Sequence, residues 1–463
     1  MGEQYDLVVV ANRLPVDRGS ATDGTGGWRP SPGGLVTALR PVVAARRGAW
    51  VGWDGDTETA PQPFTIDGMR LCPIGLSADE VVQYYDGQSN ATIWPLYHDA
   101  VEHPVFQREW RAAYRAVNER FARAAADLAT PGATVWVHDY QLQLVPGMLR
   151  AMRPDLRIGF FLHIPFPPVE LFMRMPMRTE IMRGLLGADL VGFQRPGGAR
   201  NFLWLARQLL GLRPAGDRVE YEGRTVSAGA FPISIDVGEI EALAADPEVQ
   251  TRAKEIRAEL GAPDTVLLGV DRLDYTKGIE HRLAAFGELL DGGQLSSPGS
   301  VLVQVATPSR ERVAHYRDLR ERVNGLVGRI NGDHGQVGQP AVHYLYQSLS
   351  RRELVALYLA ADVMVVTPLR DGMNLVAKEY VAARLAGDGA LVLSEFTGAA
   401  AELPQAYLVN PYDVDALRDT LIRAVRTDPG EHARRIRAMR RHLHTHGVDR
   451  WADSFLTALD RSR

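Results

Sequence analysis

The segment Ala361–Arg384, with the sequence ADVMVVTPLRDGMNLVAKEYVAAR, decides the fold of its part of the chain. It contains the short apolar run Val363–Val366, which predicts a parallel strand buried on both faces. The turn Asp371–Asn374 follows, and apolar residues then recur at helical spacing from Leu375. Free backbone N–H groups at such a helix start can bind phosphate, and a neighbouring carboxylate can hold sugar hydroxyls. For this segment alone, an ordinary strand-to-helix corner is the simpler interpretation.

The same alternation of short apolar strands and helices continues along the chain and predicts an α/β protein with parallel sheets. A length of 463 residues suggests two domains of ordinary size. We predict an N-terminal domain over residues 1–235, a C-terminal domain over 236–445, and a final helix within 446–463 that packs back on the first domain. The N-terminal pattern includes one helix over Glu170–Leu186. Two doubly wound domains that face each other would place their ligand loops on a shared cleft.

Composition limits the classes of function. A formal net charge of −4 argues against a nucleic-acid surface, so local arginines and lysines must bind any anionic ligand. Cys72 is the single cysteine, which excludes an internal disulfide and fits a reducing cytoplasm. The sequence shows no signal-peptide pattern and no uninterrupted apolar run of about 18 residues, so we expect a cytoplasmic protein without membrane attachment.

Two loops in the second half place cations just after an apolar strand. Arg272 and Lys277 lie in the motif DRLDYTKG, where a guanidinium fork and a point charge could clamp a diphosphate. A solvated turn with two surface cations explains this loop equally well. Arg310 follows another apolar strand, and a surface charge beside the N-cap residue Ser309 is the better interpretation of this residue alone.

In the first half, polar residues and glycines follow the predicted strands. Arg13 follows the first strand, and the pair Gly33–Gly34 precedes a helix where the backbone can approach a phosphate or a sugar. The glycine pair is a weak signal, and it is not a P-loop because no Gly-Lys-Ser/Thr follows. Asp139 and His163 end two further strands on the side where we expect the ligand, although a lone histidine there is more often structural.

Two aromatic residues in the segment YYDGQSNATIWP offer ring surfaces that suit a sugar. They are Tyr85 and Trp94, and packing in the core is the alternative interpretation of both. The neighbouring Tyr84 is better explained by core packing.

Two patterns that could bind a metal are set aside. The segment Asp54–Thr57 contains an Asp-x-Asp pair but no second acidic cluster completes it, so we interpret it as a solvated loop. The alternating histidines within 442–446 lack cysteine or clustered carboxylate partners. The sequence therefore predicts no metal site.

Together, seven motifs resemble the trehalose-6-phosphate synthase family: VVVANRLP, SPGGLVTAL, GAWVGW, HDYQL, FFLHIPFP, DRLDYTKG and TPLRDGMNLVAKEY. The resemblance runs from about Asp6 to the final helix. It implies the GT-B glycosyltransferase fold, with two Rossmann-like, doubly wound domains facing across a cleft. It also implies transfer of glucose from UDP- or GDP-glucose to glucose 6-phosphate, with retention of configuration, in trehalose biosynthesis. Neither a metal nor another cofactor is implied.

The resemblance assigns roles to residues at matching motif positions. Acceptor binding falls on Arg13, Trp53, Tyr85, Trp94, Asp139 and Arg310. Donor binding falls on Gly34, His163, Arg272, Lys277, Asp371, Gly372, Met373, Asn374, Leu375 and Glu379. The implied catalytic residues are Asp139, His163, Arg272, Lys277 and Asp371. Among these, Asp371 would hold the donor glucose hydroxyls and Glu379 the ribose hydroxyls.

Two other functions stay open at this point. A pseudo-glycosyltransferase of the same fold would join a nucleotide-cyclitol to an amino-cyclitol phosphate. A catalytically silent sensor would bind a sugar phosphate without turnover. The expected partners are small-molecule substrates, with no nucleic acid and no membrane, and a homo-oligomer is an open alternative. The sequence does not decide between UDP- and GDP-glucose, nor does it give the regulation or the extent of domain closure.

Overall fold

The structure is a computed structural model that describes residues 3–18, 27–31, 34–57 and 60–462. The chain divides into two compact units. Unit 1 comprises Met1–Ile233 and Val448–Arg463, and unit 2 comprises Ser234–Gly447. The boundaries that the sequence predicts, at 235/236 and 445/446, lie close to these divisions.

Unit 1 is built on a nine-stranded sheet in the described part of the chain. The strands of this unit are β1 (Tyr5–Arg13), β2 (Val16–Arg18), β3 (Trp28–Pro30), β4 (Ala49–Trp53), β5 (Phe64–Ile66), β6 (Met69–Pro73), β7 (Ala129–His138), β8 (Arg157–Phe161), β9 (Leu190–Phe193), β10 (Arg218–Tyr221) and β11 (Arg224–Ala230). The order in the sheet is β10-β11-β9-β8-β7-β1-β4-β6-β5, while β2 and β3 form a separate antiparallel ribbon. All pairs in the large sheet are parallel except the β10–β11 and β5–β6 hairpins. The chain proceeds outward in both directions from β1, so the strand order reverses between β1 and β7.

Helices connect the strands of unit 1. They are α1 (Gly34–Ala45), α2 (Ala78–Glu80), α3 (Trp94–Tyr97), α4 (Arg108–Leu128), α5 (Val145–Met152), α6 (Val169–Phe172), α7 (Arg178–Leu185) and α8 (Pro196–Leu210). A π-helix over Val81–Ile93 joins α2 to α3, and a 3-10 turn over Tyr140–Leu142 follows β7. The single helix predicted over Glu170–Leu186 is wrong, because α6 and α7 are separated by a turn that contains Pro176, which has no backbone N–H to donate.

Unit 2 has a six-stranded parallel sheet in the part that the structure describes. Its strands are β12 (Thr265–Arg272), β13 (Ser300–Thr307), β14 (Val342–Leu345), β15 (Val363–Val366), β16 (Ala390–Ser394) and β17 (Tyr407–Val409). The order is β14-β13-β12-β15-β16-β17, so the strand order reverses between β12 and β15. This is the doubly wound arrangement that the sequence predicts, and ligands of such sheets bind at the reversal.

Helices cover this second sheet. They are α9 (Val237–Ala245), α10 (Pro247–Glu259), α11 (Ile279–Asp291), α12 (Ala314–His334), α13 (Arg351–Ala360), α14 (Leu375–Ala383), α15 (Ala399–Glu402), α16 (Val414–Arg426) and α17 (Pro429–Thr445). A 3-10 turn over Tyr275–Lys277 precedes α11. Across the described ranges, every helix is too short or too polar to span a bilayer.

The last helix, α18 (Val448–Asp460), belongs to unit 1 and packs against β8 and β9. Its Phe455 ring stacks on Trp136 with centroids 4.6 Å apart. Two strand glycines make room for this ring: a Cβ on Gly159 or Gly192 would lie 2.8 or 2.6 Å from it. A side chain at either glycine would therefore force α18 away from the sheet.

Candidate functional site

The segment Ala361–Arg384 forms the strand, turn and helix that its sequence predicts. β15 ends at Val366 and α14 begins at Leu375. Asn374 caps α14 from a positive-φ conformation (φ 80°), and its Oδ1 accepts a hydrogen bond from the Ala377 N–H at 3.1 Å. The turn is tightly packed, because a Cβ on Gly398 would lie 2.1 Å from the Gly372 carbonyl oxygen. The backbone of Gly372–Leu375 is thereby held in one conformation at the switch point of unit 2.

Lys277 and Asp371 form an ion pair beside this turn. The Lys277 Nζ lies 2.6 Å from Asp371 Oδ2, and the two side chains are only 11% and 14% exposed. Asn374 donates to the same carboxylate oxygen at 3.3 Å. The 3-10 turn that carries Lys277 ends at Gly278, where φ is +61° and a Cβ would lie 2.1 Å from the Thr367 carbonyl oxygen. Two of the predicted donor-binding residues are therefore in direct contact although they are far apart in sequence.

Asp274 is a buried carboxylate that binds cations next to the pair. Arg310 lies 3.1 Å from its Oδ2 and Arg272 lies 3.9 Å away. Burial raises the pKa of Asp274, but Arg310, Arg272 and Lys277 more than offset this and hold the pKa far below its usual range. The Arg310 side chain is only 4% exposed, so the interpretation of this residue as a surface charge is wrong.

A second buried ion pair supports Lys277 from behind. Arg282 lies 2.7 Å from Asp271, and both side chains are almost fully buried. Arg282 also donates to the Lys277 carbonyl oxygen at 3.0 Å and to Thr367 Oγ1 at 3.0 Å. Burial raises the pKa of Asp271, with Arg282 acting in the opposite direction. This network fixes the backbone on both sides of the predicted diphosphate clamp.

Glu379 lies on α14 and is bound by residues of α13. Tyr358 donates its hydroxyl to Oε2 at 2.9 Å, and Arg351 donates to Oε1 at 3.3 Å. Burial raises the pKa of Glu379, and the Arg351 charge opposes this shift. The carboxylate is therefore held in place, as a residue that binds two ribose hydroxyls would need to be.

In unit 1, Arg13 is the last residue of β1 and lies over the Trp53 ring at 5.0 Å. Its guanidinium also binds Asp17 at 3.1 Å and is 44% exposed, so it is accessible to a ligand. Gly52 and Gly55 allow this arrangement: a Cβ on Gly52 would lie 2.6 Å from the Arg13 backbone, and a Cβ on Gly55 would lie 2.3 Å from its guanidinium.

The structure brings two of the predicted aromatic residues together and buries a third. Trp53 and Tyr85 meet edge to face at 5.6 Å, so Arg13, Trp53 and Tyr85 form one cluster. Trp94 is buried, with its ring 4.1 Å from that of His98 and 5.5 Å from that of Tyr140. Core packing therefore accounts for much of the Trp94 surface.

The predicted residues Asp139 and His163 are adjacent at the ends of β7 and β8. Asp139 has a positive φ of 75°, and its Oδ1 accepts from the His163 backbone N–H at 3.1 Å. His138 Nδ1 lies 3.1 Å from His163 Nε2. Burial lowers the pKa of His138 well below its usual value and that of His163 to about 3. Both rings are therefore neutral at physiological pH.

Gly34 is the first residue of α1, whereas Gly33 lies outside the described residues.

Within the described ranges, no group of three or more His, Cys, Asp or Glu side chains could hold a metal ion. The interpretation of Asp54–Thr57 as a solvated loop needs one correction, because Asp54 is buried and lies 3.0 Å from Arg18. In the terminal histidine pattern, His442 stacks on His446 at 4.2 Å, while His444 lies 2.9 Å from Glu241.

Comparison with known proteins identifies the family. The model of glycosyltransferase family 20 matches residues 5–461. The chain belongs to glycosyltransferase family 20. A trehalose-6-phosphate synthase of Mycolicibacterium paratuberculosis is 59% identical over 99% of this chain and 96% of its own length. A UDP-forming α,α-trehalose-phosphate synthase of Burkholderia vietnamiensis has a solved structure with a TM-score of 0.92 and 35% identity, covering 100% of this chain and 98% of that one.

A solved trehalose-6-phosphate synthase structure from E. coli, bound with UDP-2-fluoro glucose, has a TM-score of 0.89 and 34% identity, covering 98% of each chain. These likenesses confirm the predicted α/β GT-B fold class and the assignment as a glycosyltransferase.

Several residues that the sequence patterns do not single out contact the predicted site residues in the structure. Asp271 and Asp274 lie inside the motif DRLDYTKG, and His138 begins HDYQL, but none of them was singled out. Their signal was available as polar residues at the carboxyl ends of buried strands. Arg282 carried no such signal, because its role depends on packing between α11 and β12.

Proposed function

We propose that this family 20 chain is a trehalose-6-phosphate synthase. It transfers glucose from a nucleotide diphosphate glucose to glucose 6-phosphate and forms α,α-trehalose 6-phosphate with retention of configuration. The observation that carries the proposal is the Lys277–Asp371 pair at the switch point of unit 2, because it combines a phosphate-binding cation with a sugar-binding carboxylate. The E. coli structure bound with UDP-2-fluoro glucose and a Burkholderia xenovorans structure in complex with glucose-6-phosphate support these two substrates.

The donor is assigned to residues of unit 2. Arg272 and Lys277 neutralise the diphosphate, and Asp371 accepts hydrogen bonds from the glucose hydroxyls. Glu379 accepts from the ribose hydroxyls. The backbone of Gly372, Met373, Asn374 and Leu375 surrounds the sugar and phosphates, since it lies at the start of α14 where free N–H groups favour anions. His163 and Gly34 complete the proposed donor set.

The acceptor is assigned first to the cluster in unit 1. The exposed guanidinium of Arg13 binds the 6-phosphate, with Arg310 as the second cation for that phosphate. Trp53 and Tyr85 offer ring surface to the sugar, and Trp94 supports them from the core. Asp139 orients a hydroxyl of the acceptor, because its carboxylate is held in place at the end of β7 by the hydrogen bond that it accepts from the His163 backbone.

The chemistry needs stabilisation of a leaving phosphate more than it needs a nucleophilic side chain. The bond between glucose C1 and the β-phosphate oxygen breaks, and a bond to the anomeric oxygen of glucose 6-phosphate forms on the same face. The acceptor proton moves to the departing phosphate oxygen. Arg272 and Lys277 stabilise the charge that develops on this phosphate, so no step is assigned to a metal. The buried, unpaired Cys72 fits a reaction in the cytoplasm.

A panel of donors tests the proposal. The purified full-length chain is incubated with glucose 6-phosphate and UDP-, GDP- or ADP-glucose, and the product is identified by its anomeric NMR signals. We expect α,α-trehalose 6-phosphate with at least one donor, and no product from Asp371→Ala. Absence of this product with every donor would overturn the proposal, and tight binding of glucose 6-phosphate without turnover would support a sensor instead.

A further inference from the structure

The side chain of His138 contacts the predicted donor-binding residue His163 through one ring nitrogen. His138 is the last residue of β7 and is completely buried, whereas His163 follows β8 and keeps part of its surface accessible. The distance from His138 Nδ1 to His163 Nε2 is 3.1 Å. Since both rings are neutral, a single proton lies between these two nitrogens, and one ring must donate to the other.

The direction of this hydrogen bond follows from the other nitrogen of His138. Within the described ranges, no group forms a hydrogen bond with His138 Nε2, which is buried. If His138 carried its proton there, an N–H donor would be buried without an acceptor. Buried unpaired N–H groups are rarer than buried acceptors that lack a partner. The favoured tautomer therefore has the proton on Nδ1 of His138, which donates to Nε2 of His163.

We propose that His138 is a positioning residue that fixes His163 in the tautomer with its proton on Nδ1. The accessible nitrogen of His163 then presents an N–H donor to a hydroxyl of the donor sugar. The statement about the sugar rests on the proposed function, whereas the statement about the tautomer does not.

The two rings are held in this relation by packing on several sides. Trp136 lies 4.7 Å from the His138 ring, and Phe161 lies 4.7 Å from the His163 ring. The backbone N–H of His163 is fixed by Asp139. Neither ring can turn over without disturbing these contacts, so the tautomer of His163 is set before any ligand binds.

Nitrogen NMR of the full-length protein tests the tautomer directly. The histidines are labelled with ¹⁵N, and the His163 signals are assigned by their loss in His163→Gln. We expect a pyrrole-like shift for His163 Nδ1 and a pyridine-like shift for Nε2. The same pattern in His138→Asn is expected, because the amide can donate in place of Nδ1. His138→Asp offers only acceptors and should move the proton of His163 to Nε2. Protonated Nε2 in the wild-type protein would overturn the proposal.

Kinetics separate this role from a merely structural one. We expect His138→Asn to stay within about threefold of wild type, and His138→Asp and His138→Leu to lose about tenfold in kcat/KM for the donor. His138→Asp should also add an ionisation to the pH profile, because its carboxylate favours charged His163. Phe161→Leu disturbs the packing of His163 but keeps its hydrogen bond and is the control. An equal loss in Phe161→Leu and His138→Leu, without a change in pH profile for His138→Asp, would overturn the role. If the NMR result holds but no variant or wild type makes product, the proposed function fails and the tautomer assignment stands.

Discussion

The switch points of the two units differ in the charge and pairing of the side chains beside them. In unit 2 the reversal between β12 and β15 holds two largely buried cations that are paired with carboxylates, Lys277 with Asp371 at 2.6 Å and Arg310 with Asp274 at 3.1 Å, and Arg272 beside them is 43% exposed. In unit 1 the reversal between β1 and β7 lies beside neutral rings, His138 and His163, and the cation Arg13 remains half exposed.

This difference indicates how each switch point binds an anion. A diphosphate that loses its sugar gains negative charge, and cations that are already desolvated and oriented respond to it most strongly. The acceptor phosphate does not change charge in the reaction, so the exposed guanidinium of Arg13, with Arg310 as the second cation, is sufficient to bind it. We infer that unit 2 is specialised for stabilising the leaving group and the Arg13 cluster for binding a substrate.

Removing the Lys277 cation of unit 2 should have the largest effect on activity. Lys277→Ala should lower kcat about 10²–10³-fold, because one charge contact to the leaving phosphate is lost. Steady-state assays with saturating glucose 6-phosphate measure this. Lys254, which is exposed on α10, provides the control, and Lys254→Ala should behave as wild type. A change confined to the donor KM would show that Lys277 binds the ground state only.

Removing the cation of unit 1 should have a smaller effect of a different kind. Arg13→Ala loses a charge-assisted hydrogen bond of about 1.5–3 kcal/mol, so kcat/KM for glucose 6-phosphate should fall about 10–100-fold. We expect the change to be mainly in KM for this substrate. Arg123→Ala, on the exposed face of α4, is the matched control. A loss of kcat with unchanged KM would place Arg13 in the chemical step and remove the contrast between the units.

The smallest expected effect is a change in the free energy of unfolding with pH. His138 is neutral when folded, so below its unfolded pKa of about 6.5 the unfolded state binds a proton that the folded state does not. Unit 1 should therefore lose about 1.4 kcal/mol per pH unit for this residue as the pH falls below 6.5. Asp274, whose pKa is depressed, contributes stability in unit 2 that is lost only as the pH falls below about 4.

Tryptophan fluorescence can follow unit 1 by itself, because all eight tryptophans lie within it. Urea unfolding at pH 7 and pH 5.5 gives the slope, and His138→Leu should make it shallower. An identical slope in the variant would contradict the assignment of the effect to His138.

Local patterns in the sequence predicted the elements better than the contacts. The segment Ala361–Arg384 forms its strand and helix as expected, because apolar period and turn residues act over a few positions. The ion pair between Arg310 and Asp274 depends on where two separate strands end, so a surface charge was the wrong expectation. The π-helix Val81–Ile93 had no recognisable period, and the break at Pro176 lay within an otherwise helical pattern.

Calorimetric titration of each substrate alone compares the two switch points without catalysis. UDP and glucose 6-phosphate are titrated separately into wild type, Lys277→Ala and Arg13→Ala. We expect Lys277→Ala to weaken the binding of UDP and to leave that of glucose 6-phosphate unchanged, and Arg13→Ala to do the reverse. The division between the two switch points is contradicted if both variants weaken the binding of the same ligand. It is also contradicted if Lys277→Ala weakens the binding of glucose 6-phosphate and Arg13→Ala weakens that of UDP.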